Sequence, residues 1–242
     1  MRAWTRAQRG KADPFTSTVL TVPVFLLYHL GILVIDQRNG VDWVSGLMFA
    51  LLEASVPGYV AATLAIAGAL AIALRALQRS GKLRPIALLP TVLESAVWAI
   101  LMMLSVGYAT AELTSSFALP GSPALQAGGA LATLGPVDKL VLAAGAGFHE
   151  ELAFRVVLVS GVARLLIAVG MPETRALLSA AIGSALLFAF VHHLGPYGDP
   201  LELAPFVFRT LAALYLTVVY AARGFAVAVY THTLYDVLVF FS

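Results

Sequence analysis

Three short stretches of this 242-residue chain carry side chains able to do acid–base chemistry. They read His149-Glu150-Glu151-Leu152-Ala153-Phe154-Arg155, then Phe188-Ala189-Phe190-Val191-His192-His193, then His232-Thr233-Leu234-Tyr235-Asp236. On a helix, Glu151 and Arg155 stand at i and i+4 in the favourable order and pair directly. Glu150 is turned about 100° away and is left to meet groups from other segments. A carboxylate neutralised by arginine is structural, whereas one desolvated without that charge is suited to take a proton from water. Phe188 and His192 share a helical face, and His232 and Asp236 lie one turn apart, where a carboxylate can orient an imidazole. Together they supply a general base, two imidazoles and an orienting acid, which is enough for hydrolysis.

The elements that must position these groups are set by composition. The chain is 60% hydrophobic and 12% charged, with a mean hydropathy of +0.89, which excludes a water-soluble globule and intrinsic disorder. With no cysteine there is no disulfide framework, thiolate metal cluster or cysteine nucleophile. Seven apolar runs, at about 17–35, 54–76, 86–109, 138–162, 176–194, 204–222 and 224–241, are long enough for membrane helices. They are apolar on every face, which argues against a β-barrel. The expected fold is all-α, a polytopic transmembrane bundle of about seven spans forming a single domain over 1–242, its motif-bearing core at about 138–241 preceded by N-terminal spans and a loop over 1–137.

Threaded alternately, seven spans place Arg2, Arg6, Arg9, Lys11, Arg75, Arg79, Lys82, Arg84, Arg164, Arg175 and Arg223 on one side. Only Arg38 and Lys139 fall on the other, so the N-terminus is expected inside. This asymmetry accounts for the net charge of +2 and the pI near 9 without nucleic acid as a partner. The first run is too long and too polar at its end for a cleaved signal peptide. A short apolar segment at 42–53 reads as an interfacial or broken helix, and the Pro/Gly-rich stretch from Pro120 to Pro136 as the one long loop. Arginine far exceeds lysine and alanine is abundant, which fits a GC-rich bacterial genome and an inner-membrane location.

The three motifs resemble those of the CPBP (Abi-like) glutamic intramembrane proteases, to which the CAAX prenyl endopeptidases belong. The pattern E-E-x-x-x-R falls on Glu150, Glu151 and Arg155, F-x-x-x-H on Phe188 and His192, and H-x-x-x-N/D on His232 and Asp236. Three motifs in order are far more specific than one. The resemblance implies that Glu150 and His192 activate a water while His232 and residue 236 stabilise the oxyanion, acting on a membrane-anchored protein or peptide in the bilayer with no cofactor. Eukaryotic CAAX proteases carry Asn at the last position; an ionised Asp cannot donate to an oxyanion. Asp236 is thus expected either to orient His232 or to be protonated.

Plainer roles also follow. Glu151 with Arg155 is expected to be a structural ion pair, and Phe188 and Phe154 packing residues. His149 and His193 lie at most on the periphery, and Glu94 and Arg209 either bind substrate or pair with another span. A zincin site fails because position 153 is Ala, although Glu150, His192 and His232 from three helices remain an alternative zinc trio. A transporter or silent scaffold using the same buried acids and histidines is the competing functional class.

Overall fold

The structure, a computed structural model, describes residues 14–35, 50, 52, 55–77, 88–115, 134–194 and 199–242. The basic N-terminal run, the segment 42–53 apart from Ala50 and Leu52, the cations Arg38, Arg79, Lys82 and Arg84, and the loop from Pro120 up to Thr133 lie outside them. The described residues form helices and no strand. In chain order these are α1 (Pro14–Gly31), α2 (Val56–Leu77), α3 (Leu88–Ser115) and α4 (Pro136–Gly145). Without a break, α4 passes through two π-helical stretches, Ala146–Glu150 and Leu152–Val162, into α5 (Ala163–Ala168). Then follow α6 (Glu173–Val191), α7 (Leu203–Arg223) and α8 (Phe225–Phe241). Among the described residues, counting α4 to α5 as one rod gives seven helices, each overlapping an expected span.

Three of them, α3, α6 and α7, are both long and apolar enough to cross a membrane. Burial patterns show where each helix sits. In α8 every residue from Ala226 to Thr233 is buried, so the first half of this helix is enclosed on all faces within the bundle. In α3 only Ser95, Ala99, Met102, Val106, Thr110 and Thr114 are buried, a stripe at helical spacing. Its opposite face, with Leu93, Val97, Leu104 and Tyr108, is apolar and exposed, as a lipid-facing surface should be.

Local chemistry sets the joints. Pro136 opens α4 and the Asp138 carboxylate accepts from the Gly135 N–H at 3.0 Å, satisfying a helix-start donor. Gly224, at φ +95°, is the only residue between α7 and α8, a conformation that side chains with a Cβ rarely adopt. The helix ends then sort into two groups. Ser17 accepts from the Ala226 N–H, Glu94 pairs with Arg223, and Ser160 bonds Tyr220 at 2.9 Å, all at one end. Gly31 packs on Val141, and Lys139 lies over the Phe241 ring at the other.

Candidate active site

Glu150 lies at the end of the first π-helical stretch and Glu151 directly before the second. In a π turn the hydrogen bond runs i→i+5, and the wider turn rotates less per residue than an α-helix. Both neighbouring carboxylates face the same His232 ring. Glu151 Oε1 is 2.8 Å from His232 Nδ1, and Glu150 Oε2 is 3.8 Å from His232 Nε2.

The close approach of α8 to the rod depends on Gly147. A Cβ there would lie 1.9 Å from Thr233 Oγ1 and 2.9 Å from the Val229 carbonyl oxygen, so only glycine lets the helix bearing His232 come this near.

Glu151 is fully buried and does two jobs. Its Oε1 is 3.0 Å from Arg155 Nη1, as expected for the i, i+4 pair, and the same oxygen accepts from His232 Nδ1. Arg155 is itself buried, donates to the Ala213 carbonyl oxygen at 3.3 Å, and lies 5.0 Å from the centre of the Phe188 ring. Removing either charge would strand the other in an apolar interior. The link to His232 differs from the expectation that Asp236 orients this imidazole. Asp236 Oδ2 instead faces Nε2, at 3.7 Å, on the side where Glu150 lies.

His192 closes the group from α6. Its Nδ1 is 2.7 Å from the Phe188 carbonyl oxygen, which can only accept, so Nδ1 carries the proton. That leaves the Nε2 lone pair directed inward, 3.9 Å from Glu150 Oε2. Phe188 packs against Phe154 at 5.0 Å and against the His192 ring at 4.7 Å, in the packing role the sequence suggested. Glu150, Glu151, Arg155, Phe188, His192, His232 and Asp236 thus converge from three helices.

The two peripheral histidines point elsewhere. His149 packs among Tyr28, His29 and Phe148, with ring centres 4.8 to 5.3 Å apart, and its Nδ1 is 3.1 Å from the Gly145 carbonyl oxygen. His193 donates from Nδ1 to the Asp199 carbonyl oxygen at 3.0 Å and lies against the Phe206 ring. Glu94 and Arg209 both pair: Glu94 with Arg223, including a 2.8 Å bond from Nη2, and Arg209 with Asp199. The buried 2.6 Å hydrogen bond between His29 and Tyr59 had no sequence signal, because its partners lie 30 residues apart on different helices. Among the described residues, no group of three or more acidic or histidine side chains is arranged to hold a metal ion.

Comparison with known proteins relates this cluster to a family. Residues 133–238 match the model described as type II CAAX prenyl endopeptidase Rce1-like, a stretch that contains all three motifs. No curated protein and no solved structure matches the chain. The protein is an integral membrane protein, and its segment 133–238 is similar to the Rce1-like, CAAX-protease-type family.

Proposed function

We propose that the protein is a glutamic intramembrane endopeptidase in which Glu150 and His192 activate a water against a peptide bond of a membrane-anchored protein or peptide. One observation carries this reading. Glu150 Oε2 faces the Nε2 atoms of two imidazoles at 3.9 and 3.8 Å, while the opposite nitrogen of each ring is already engaged. Each gap is too long for a direct hydrogen bond and suits a single oxygen bonded to both sides.

The water's oxygen adds to the scissile carbonyl carbon, and its proton passes to Glu150 or to the His192 lone pair. Collapse of the tetrahedral intermediate breaks the C–N bond and returns that proton to the departing amine. To donate to the oxyanion from Nε2, His232 must carry a proton on both nitrogens. Glu150, Glu151 and Asp236 surround it with enough negative charge to balance that state, so Asp236 serves the oxyanion through His232 rather than by donating itself. Glu151 and Arg155 hold the imidazole in place.

No cofactor is needed on this account. Purified enzyme is expected to keep its activity in saturating chelator; loss of cleavage restored by zinc would instead favour the metal trio. We also infer seven spans with a cytoplasmic N-terminus in a bacterial inner membrane. Among the described residues, Arg164, Arg175 and Arg223 lie toward one end of the bundle, while Asp138, Asp199 and Glu202 lie toward the other. The direct test is Glu150→Gln: cleavage of membrane-anchored peptides should vanish while the protein folds, whereas a scaffold would keep its cellular role.

A further inference from the structure

Of Glu150, His192 and His232, His192 is the most exposed and the least fixed by its own helix. Its side chain is 28% exposed, against 7% for each of the others. α6 ends at Val191, and His192 caps it. The next two N–H groups turn back by only three residues, that of His193 to the Phe190 carbonyl oxygen at 3.0 Å and that of Leu194 to the Val191 carbonyl oxygen at 3.2 Å. The bond from His192 Nδ1 to Phe188 therefore belongs to the last turn of a helix, which frays unless something outside it holds the end.

Asp199 supplies that hold through three groups. Its N–H donates to the His192 carbonyl oxygen at 3.0 Å, its own carbonyl oxygen accepts from His193 Nδ1 at 3.0 Å, and its carboxylate accepts from Arg209 Nη2 on α7. His193 in turn lies against Phe206, with ring centres 6.1 Å apart, and Phe206 and Arg209 stand one turn apart on α7. The end of α6 is thus tied to two adjacent positions of a neighbouring helix. A carboxylate beside a helix C-terminus is unfavourable on its own, and the Arg209 charge offsets it. The side chains of Asp199 and Arg209 are 43% and 21% exposed, and an ion pair so placed adds little to global stability. Its effect is local, on the main chain that carries His192.

Resting on the reading of this centre as a protease, we propose that Asp199 and Arg209 are positioning residues, whose ion pair clasps the end of α6 to α7 and so holds the His192 ring against the water it shares with Glu150. Neither takes part in the proton transfers. Both act through the His192 carbonyl: with the clasp open, the last turn frays, the Nδ1 bond to Phe188 loosens, and Nε2 no longer keeps its lone pair aimed at the water. A displacement of about 1 Å at a reacting group is enough to cost up to about 10²-fold in rate.

The experiment uses the full-length protein in phosphatidylcholine nanodiscs. The rate probe is the lipid-anchored peptide, drawn from a randomised pool, that the wild type cleaves fastest. The second probe needs no activity: the nitrogen NMR spectrum of protein carrying isotope-labelled histidine, with the His192 signals assigned by their absence from His192→Ala. Asp199→Asn and Arg209→Gln should each lower kcat about tenfold with KM within about twofold, leave the thermal transition nearly in place, and shift the His192 signals from one tautomer toward a mixture of two. The double variant should lose no more than either single one, because both open the same clasp. Arg209→Lys keeps a cation for the one oxygen contacted and should restore most of the rate. Glu94→Gln breaks the ion pair at the other end of the bundle and should change neither readout. Unchanged kcat or unmoved His192 signals in both clasp variants overturns the proposal while leaving the protease reading intact, and so does an equal loss in Glu94→Gln. If the wild type cleaves no peptide in the pool, the protease reading falls; moved His192 signals then still support the clasp, and unmoved ones overturn it as well.

Discussion

Two histidine pairs lie near the same rod, and only one of them faces carboxylates. His192 and His232 face Glu150, with Glu151 and Asp236 close by. His29 and His149, the latter adjacent to Glu150 in sequence, lie instead among Phe25, Tyr28, Tyr59 and Phe148. Both members of this second pair are buried, and its rings are 5.2 Å apart, a separation suited to packing. A pair of intramembrane imidazoles is therefore no sign of catalysis by itself. The difference lies in the carboxylates, which can hold, charge and reset an imidazole where aromatic rings only pack it.

The largest effect should separate the two pairs outright. Glu150→Gln is expected to lower turnover by about 10²–10⁴-fold with an unchanged thermal transition, whereas His149→Phe, one position away, should leave the rate within a few-fold. Comparable losses from both would erase the distinction. Glu151→Gln should fail in a second way. It strands the charge of the buried Arg155 and weakens the acceptor at His232 Nδ1, so about 3–5 kcal/mol of stability should be lost along with activity, read as a fall in midpoint in a denaturation series.

A smaller change tests whether spacing sets the active pair. Gly147→Ala should cost about 1–3 kcal/mol by overpacking and lower kcat more than it raises KM, because it pushes α8 and His232 from the rod. Combining it with Thr233→Ala, which removes the nearest clashing atom, should restore part of that loss, and no restoration would place the effect elsewhere. Smallest of all, Tyr59→Phe deletes the hydrogen bond to His29 and should cost about 1 kcal/mol with kcat unchanged. A drop in turnover there would mean the aromatic pair communicates with the catalytic one.

How far the sequence could be read divides along the same line. Glu151 with Arg155 was predictable because i, i+4 geometry is a local property of a helix, and the seven apolar runs foretold the helices because bilayer thickness dictates their length. The convergence of Glu150, His192 and His232 was suggested by motif order alone. What escaped depends on packing between distant helices. The Glu151 bond to His232 spans 81 positions and the Glu94 pair with Arg223 spans 129, and no periodicity encodes either. The π-helical stretches were also hidden, since a widened turn answers to its neighbours more than to its own residues. For the same reason the contact of Glu151 with His232, where the sequence suggested Asp236, was hidden.

The sharing of Glu151 between Arg155 and His232 also bears on the order in which the cluster is assembled. The acid is supplied early in the matched segment, and the imidazole it steadies arrives only with the last described helix. Before α8 packs, the rod and α6 carry Glu150 and His192 but lack the His232 ring that Glu151 holds. On the proposed reading, the centre is complete only once α8 has packed against the rod.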